Sequence, residues 1–297
     1  MAEIEKTISV NNDVITYKVS YHNDRISNSE SQTINKNAVL LLHGLASNLT
    51  RWTEFVMNTS LTDNVDLLRL DLRGHGKSMC FSRISIRDWC NDIYQILNKE
   101  KYSKVIIVGH SLGAQIAMQF AFYYPRLTKG IVLIDPVFPT ALKGILGIVR
   151  RFRYGVLILI YLLLMKSKMG FTKKNFPYRD LHELDIKTRE ILNSKTDSDI
   201  AKLYMNPFED LIYIPFVNYC QDAFEVTRKI PNLGQINCAV LCLLSKGATV
   251  SNIEITKSFV NQFPFSEIEI IDADHWLLTE KPVESRQVIE KWCTAIL

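Results

Sequence analysis

Ser111 stands at the centre of the pentapeptide Gly109-His110-Ser111-Leu112-Gly113. The block Lys104-Val105-Ile106-Ile107-Val108 before it reads as a buried strand, and Ala114–Ala121 after it reads as a helix packed through small residues. A Gly-x-Ser-x-Gly turn between strand and helix has the pattern of a nucleophile elbow. The turn is sharp enough to strain the serine backbone, and its two glycines leave room for the neighbouring chain. The hydroxyl then sits at a helix N-terminus, where amides and dipole favour negative charge. The chemistry this predicts is nucleophilic attack. A neutral serine attacks poorly, so it needs a base within hydrogen-bond reach and an acid to orient that base. Six histidines are available: His22, His43, His75, His110, His182 and His275.

The elements that must position these groups alternate in type. Thr7–Val10 and Val14–Tyr21 read as strands joined by an Asn11-Asn12-Asp13 turn, and the polar stretch 22–36 as a surface loop. Further strands are expected at Ala38–Leu42, Val65–Leu70, Gly130–Ile134, Cys238–Leu244 and Glu267–Ile271. Helical spacing marks Trp52–Asn58, Ile86–Asn98, Ile253–Phe263 and Ser285–Ile296. Alternating strands and helices predict a mostly parallel sheet covered on both faces. From Val137 to Leu233 the pattern changes to helical segments broken by Pro and Gly, which reads as a cap over the carboxyl ends of the strands. The expected division is therefore a core of residues 1–136 and 236–297 with a helical cap at 137–235.

With 297 residues and 47% hydrophobic content, the chain can bury a core without metals or disulfides. Its net charge of +4 comes from interspersed acids and bases and carries no nucleic-acid footprint. Six cysteines lie in no CxxC pair or zinc-ligand spacing, so free thiols in a reducing, cytoplasmic setting are expected, and no metal or cofactor. The N-terminus lacks the apolar core of a signal peptide. The longest apolar run, Tyr154–Met165, has twelve residues, short of the ~18–20 that span a bilayer.

Four motifs in order make the chain resemble the α/β-hydrolase superfamily: His43-Gly44-Leu45, Asp71-Leu72-Arg73-Gly74-His75-Gly76-Lys77-Ser78, Gly109–Gly113, and Asp274-His275-Trp276 followed by Thr279-Glu280-Lys281-Pro282. The resemblance implies an eight-stranded sheet with a helical insertion, and looks most like small esterases and thioesterases. It implies His275 as the base, His43 and His75 as structural residues, and the amides of Leu45 and Leu112 as an oxyanion hole. It also implies that His110 points away from the substrate side. The family's usual acid position after the cap reads Ser245–Asn252 here and holds no carboxylate. Asp135, at the family's alternative position after the strand beyond the elbow helix, is the implied acid, with Asp272 and Asp274 as local rivals. For the Asp71–Ser78 turn a structural role is favoured, with Arg73 bonding nearby carbonyls and Ser78 capping a following element.

These readings point to a serine hydrolase acting on a carboxylic ester or thioester of a small hydrophobic acyl group. Carbon–carbon bond hydrolysis, acyl transfer, or a non-catalytic ligand receptor are the alternatives. Residues Ala141–Val149 and Tyr154–Met165, flanked by Arg150, Arg151, Arg153, Lys166, Lys168, Lys173 and Lys174, read as a cap helix packed on the core, as an acyl pocket, or as a lid touching an anionic membrane surface.

Overall fold

Eight strands form one sheet in the order β1-β2-β4-β3-β5-β6-β7-β8: β1 Ile4–Val10, β2 Asp13–Ser20, β3 Asn37–Leu42, β4 Asp66–Leu70, β5 Lys104–His110, β6 Thr128–Ile134, β7 Ala239–Ser245 and β8 Ser266–Ile271. This computed structural model describes residues 3–22, 36–142, 144–194, 204, 206–247 and 252–297. Most of the expected surface loop at 22–36, and residues 248–251 of the stretch without a carboxylate, lie outside the described residues. β1 and β2 are antiparallel, joined by Asn11 and Asn12 at φ 52° and 68°, the double left-handed turn that short hairpins favour. β2 runs antiparallel to β4, and every other pairing is parallel. The apolar runs of β3, β5 and β6 are buried almost throughout, as strands covered on both faces must be.

Helix α1 spans Thr53–Asn58, α2 Ile86–Lys99 and α3 Leu112–Tyr123. α2 starts at a capping box in which Ser85 and Asp88 satisfy each other's amides, and it buries Trp89, Ile93 and Ile96. α3 buries residues on every side, which its glycine, alanines and small contact faces permit.

Between β6 and β7 the described residues form helices and no strand: α4 Gly144–Arg151, α5 Arg153–Lys168, α6 Leu181–Ser194, α7 Pro207–Tyr213 and α8 Phe216–Val226. Two faces of α8 are buried. Val217, Cys220 and Phe224 pack on Ile160 and Leu164 of α5. Asn218, Gln221, Asp222 and Glu225, spaced as one helical face, turn to the core. There Asn218 Nδ2 donates to Gly74 O and Cys80 O, both at 3.0 Å, Gln221 Oε1 accepts from the Ile84 amide at 2.8 Å, and Glu225 Oε2 from the Ile86 amide at 3.1 Å. Buried Gln115 of α3 donates to Val137 O and Val226 O, and so holds both stems of the insertion. After β7 come α9 Ile253–Val260, α10 Leu277–Glu280 and α11 Pro282–Ile296. α11 starts at Pro282, three residues before the expected Ser285, because a proline fits the first helical turn.

Candidate active site

The parallel strands end together, so their following loops meet along one edge. Leu42 is in register with Gly109, and His110 with Ile134. Immediately beyond lie Gly44 and Leu45 after β3, Ser111 after β5, and Asp135 after β6. This edge is where open α/β sheets bind their ligands.

Ser111 takes φ 53° and ψ −110°, a strained conformation for a residue with a Cβ. The glycines explain how the chain tolerates it. A Cβ on Gly109 would lie 2.3 Å from Gly113 O, and one on Gly113 would lie 2.5 Å from Leu42 O. Leu112 is the first residue of α3, so its amide has no carbonyl four residues back to bind. Leu45 is half-buried and lines the same cavity as Ser111, whereas the Leu112 side chain is fully buried.

His275 lies between β8 and α10. Its Nδ1 donates to Asp135 Oδ2 at 2.9 Å, and both side chains are buried. Asp135 is held in place by Ser245, the last residue of β7. The Ser245 amide donates to Oδ1 at 2.7 Å and its hydroxyl to Oδ2 at 2.6 Å. The register of β6 on β7, with Ile134 opposite Leu243, sets this contact. The rivals face elsewhere: Asp272 is exposed beside Lys246, and the Asp274 amide donates to Glu280.

Ser111, His110 and His275 line one cavity of about 200 Å³. Its apolar wall includes Leu45, Ile145, Leu146, Leu181 and Trp276, and its polar end Arg51, Arg179 and Asp210. Arg51 is buried against Asp185 of α6 and donates to Thr279 Oγ1 at 3.0 Å; Tyr204 OH donates to the same Asp185 at 2.6 Å. A larger open groove of about 710 Å³, lined by Arg87, Asp88, Tyr123 and Tyr124 among others, includes no serine–histidine pair of this kind.

His110 departs from its expected orientation. Rather than pointing away from the substrate side, it lines the cavity, 4.9 Å from the His275 ring, and its Nε2 donates to His275 O at 2.9 Å. That bond fixes the tautomer, and burial, with the His275 ring beside it, holds the imidazole well below its usual pKa. It is a neutral brace for the histidine loop.

His43 is fully buried. Its Nδ1 donates to Gly44 O at 2.8 Å, and its Nε2 accepts from the Leu72 amide at 3.0 Å. Burial, and then His75, hold its pKa far below the ordinary value, so it ties the Gly44 loop to the end of β4 without charge. In the following turn, Asp71 accepts from the Leu49 and Lys77 amides at 2.8 and 2.7 Å, and burial raises its carboxyl to about 6. Arg73 bonds carboxylates rather than mainly carbonyls: Asp92 through two nitrogens, and Asp13, with Val10 O as a further acceptor. Ser78 Oγ accepts the Thr16 amide of β2 at 2.8 Å and caps no following helix.

His75 Nε2 lies 2.8 Å from Asp222 Oδ2 of α8, a short ionic contact out of line for a good hydrogen bond. Burial alone would discharge the imidazole, but the carboxylate outweighs it and raises the His75 pKa. Ser245, Arg51 and Asp222 lie in no recognisable motif, and the elbow pattern leaves the residue at His110 unspecified. For Ser245 a signal existed: a hydroxyl residue closing the strand next to the one that Asp135 follows.

No group of three or more His, Cys, Asp or Glu side chains among the described residues could hold a metal ion. None of their helices is long and apolar enough to cross a membrane.

Residues 37–282 match the model of the α/β-hydrolase fold family. The chain belongs to that family. A candidate esterase/lipase of Haemophilus influenzae is 24% identical over 256 residues, covering 84% of this chain and 81% of its own. An α/β-hydrolase-domain protein of Schizosaccharomyces pombe is 25% identical over 255 residues, covering 84% and 90%. Among solved structures, a thermophilic esterase from Thermogutta terrifontis superposes with a TM-score of 0.65 at 18% identity, covering 100% of this chain and 99% of that one. Fold and relatives together place the chain among hydrolases.

Proposed function

We propose that the chain is a serine hydrolase that cleaves a carboxylic ester or thioester of a small hydrophobic acyl group. The observation that carries this reading is the His275 Nδ1–Asp135 Oδ2 bond of 2.9 Å, with His275 lining the same cavity as Ser111 on its strained elbow. In this reading Ser111 Oγ attacks the acyl carbonyl while His275 Nε2 takes its proton. The Leu45 and Leu112 amides receive the oxyanion, a contribution of about 3 kcal/mol per donor. His275 returns the proton to the departing alcohol or thiol, and water then frees the acyl group by the same route. Asp135 holds the tautomer in which Nε2 can accept.

The cavity of about 200 Å³ lies below the about 300–1,000 Å³ typical of drug-sized ligands, which supports a small acyl group. The helical insertion 137–235 acts as the cap, since α4 and α6 supply part of the cavity wall. All six cysteines are free thiols, which supports a reducing, cytoplasmic compartment. The test is turnover of p-nitrophenyl esters and acyl thioesters of graded chain length, with fluorophosphonate labelling, on wild type and Ser111→Ala. Wild type is expected to turn over and label, and Ser111→Ala to do neither. Turnover retained in Ser111→Ala refutes the assignment.

A further inference from the structure

The apolar run Tyr154–Met165 does not line the cavity; in α5 only Ile160 and Leu164 are buried, against α8. Its other face is bare. Tyr154, Ile158, Tyr161, Leu162, Met165 and Met169 are between 55% and 84% exposed. At helical spacing they occupy an arc of about 100°. No charge falls within that arc, and Lys166 and Lys168 border it on either side. Ile145 and Ile148 of α4 and Phe152, between α4 and α5, continue the surface, each more than half exposed, and Ile145 also lines the cavity. The bare face therefore runs up to the entrance of the candidate active site.

The charge around it is one-sided. Residues 136–179 contain nine Lys and Arg and no Asp or Glu, although the whole chain carries only +4, so the remainder is net acidic. Among the described residues, none of Arg150, Arg151, Lys166 or Lys168 forms an ion pair. A contiguous exposed apolar face marks an interaction site. A second copy of this chain is a poor occupant, because two-fold pairing would set the same cations against each other. An anionic bilayer meets both halves of the pattern. Apolar side chains enter the headgroup–acyl boundary, the tyrosines keep their hydroxyls in the headgroups, and the cations meet lipid phosphates. With 16 residues α5 is about 24 Å long, too short to span, and its buried face on α8 holds it parallel to the surface it presents.

We propose that the α4–α5 face is a docking surface for anionic phospholipid bilayers, which sets the cavity mouth at the lipid interface so that the acyl substrate enters from it. The delivery role rests on the esterase reading above; the docking itself does not. The experiment is co-sedimentation with vesicles of phosphatidylcholine alone or with about 30 mol% phosphatidylglycerol, using Ser111→Ala protein so that no lipid is consumed. Expected is binding to the anionic vesicles that weakens between about 0.1 and 0.5 M salt. Leu162→Glu/Met165→Glu should lower it at least tenfold, roughly the loss of two inserted side chains. Lys166→Glu/Lys168→Glu should lower it by roughly fivefold or more per lysine on anionic vesicles alone. With Ser111 retained, Leu162→Glu/Met165→Glu should hydrolyse a water-soluble acetate ester at the rate of the unsubstituted protein. Absence of binding to anionic vesicles overturns the proposal, as does binding undiminished by Leu162→Glu/Met165→Glu. A self-association abolished by that variant, without vesicle binding, assigns the face to a second copy and also overturns it. Vesicle binding without ester turnover would refute the esterase reading and leave the docking intact; turnover without vesicle binding would do the reverse.

Discussion

Replacing Asp135 with asparagine should damage the reaction more than removing the side chain altogether. The two oxygens of Asp135 are not equivalent. Oδ1 accepts from the Ser245 backbone amide at 2.7 Å, a donor that cannot turn away, whereas Oδ2 faces the Ser245 hydroxyl at 2.6 Å and His275 Nδ1 at 2.9 Å. In Asp135→Asn the amide carbonyl must keep the Oδ1 place, because an NH₂ there would face the Ser245 N–H. The NH₂ is then aimed at His275 Nδ1, and the Ser245 hydroxyl can rotate to accept from it. An imidazole facing that donor carries its proton on Nε2, where it can no longer accept from Ser111. Loss of one charged hydrogen bond would cost about 1.5–3 kcal/mol, or about 10–150-fold. Reversal of the tautomer costs about 10⁴-fold in turnover, near 5.4 kcal/mol. In Asp135→Ala the ring is free to adopt either tautomer, so its loss should be the smaller. The assay is p-nitrophenyl acetate turnover at pH 7–8 on both variants, with ¹⁵N spectra of the imidazole to read the tautomer and melting curves to check folding. The reasoning is refuted if Asp135→Asn stays within about tenfold of wild type, or if it outperforms Asp135→Ala.

Strain at the elbow should be visible as stability. Ser111 sits at φ 53° and its side chain caps nothing, so Ser111→Gly relieves about 1–3 kcal/mol less the added freedom of glycine in the unfolded chain. Ser111→Gly should melt about 2 °C above Ser111→Ala, both without activity, and a lower melting point for the glycine variant would contradict the strain argument. The His75–Asp222 contact should make stability fall with alkalinity. A histidine whose folded pKa is raised stabilises fully below its unfolded value near 6.5, and that stability is lost as pH climbs through the raised value. Melting temperatures from pH 6.5 to 8.5 should drop further in wild type than in His75→Gln, and parallel profiles would remove the pair from the account.

The sheet was legible because continuous apolar runs bounded by turn residues have few alternatives to a buried parallel strand. Hence β3, β5 and β6 lie within a residue or two of their expected limits. The elbow was legible for a similar reason, since glycines 109 and 113 answer to contacts that no side chain could share. The link from Asp135 to Ser245 was not, because it depends on the register between β6 and β7, which periodicity does not encode. α8 misleads a reader of hydropathy most. Its four polar residues Asn218, Gln221, Asp222 and Glu225 form the face turned to the core, where backbone amides and carbonyls of residues 74–86 bond Asn218 Nδ2, Gln221 and Glu225, and His75 lies against Asp222. The run Tyr154–Met165 inverts the same rule from the other side, bare where a hydropathy pattern expects cover.

The polar underside of α8 limits how the molecule can open. Prising that helix away would leave an amide, a second amide and two carboxylates stripped of their partners at once, so it behaves as a bolt and not as a hinge. Gly144, at the head of the short helix α4, has a φ of +59° and no atom within 4 Å of where a Cβ would sit, and it lines the cavity. Any loosening of the insertion that leaves these partners in place has to be local, beside a fixed roof.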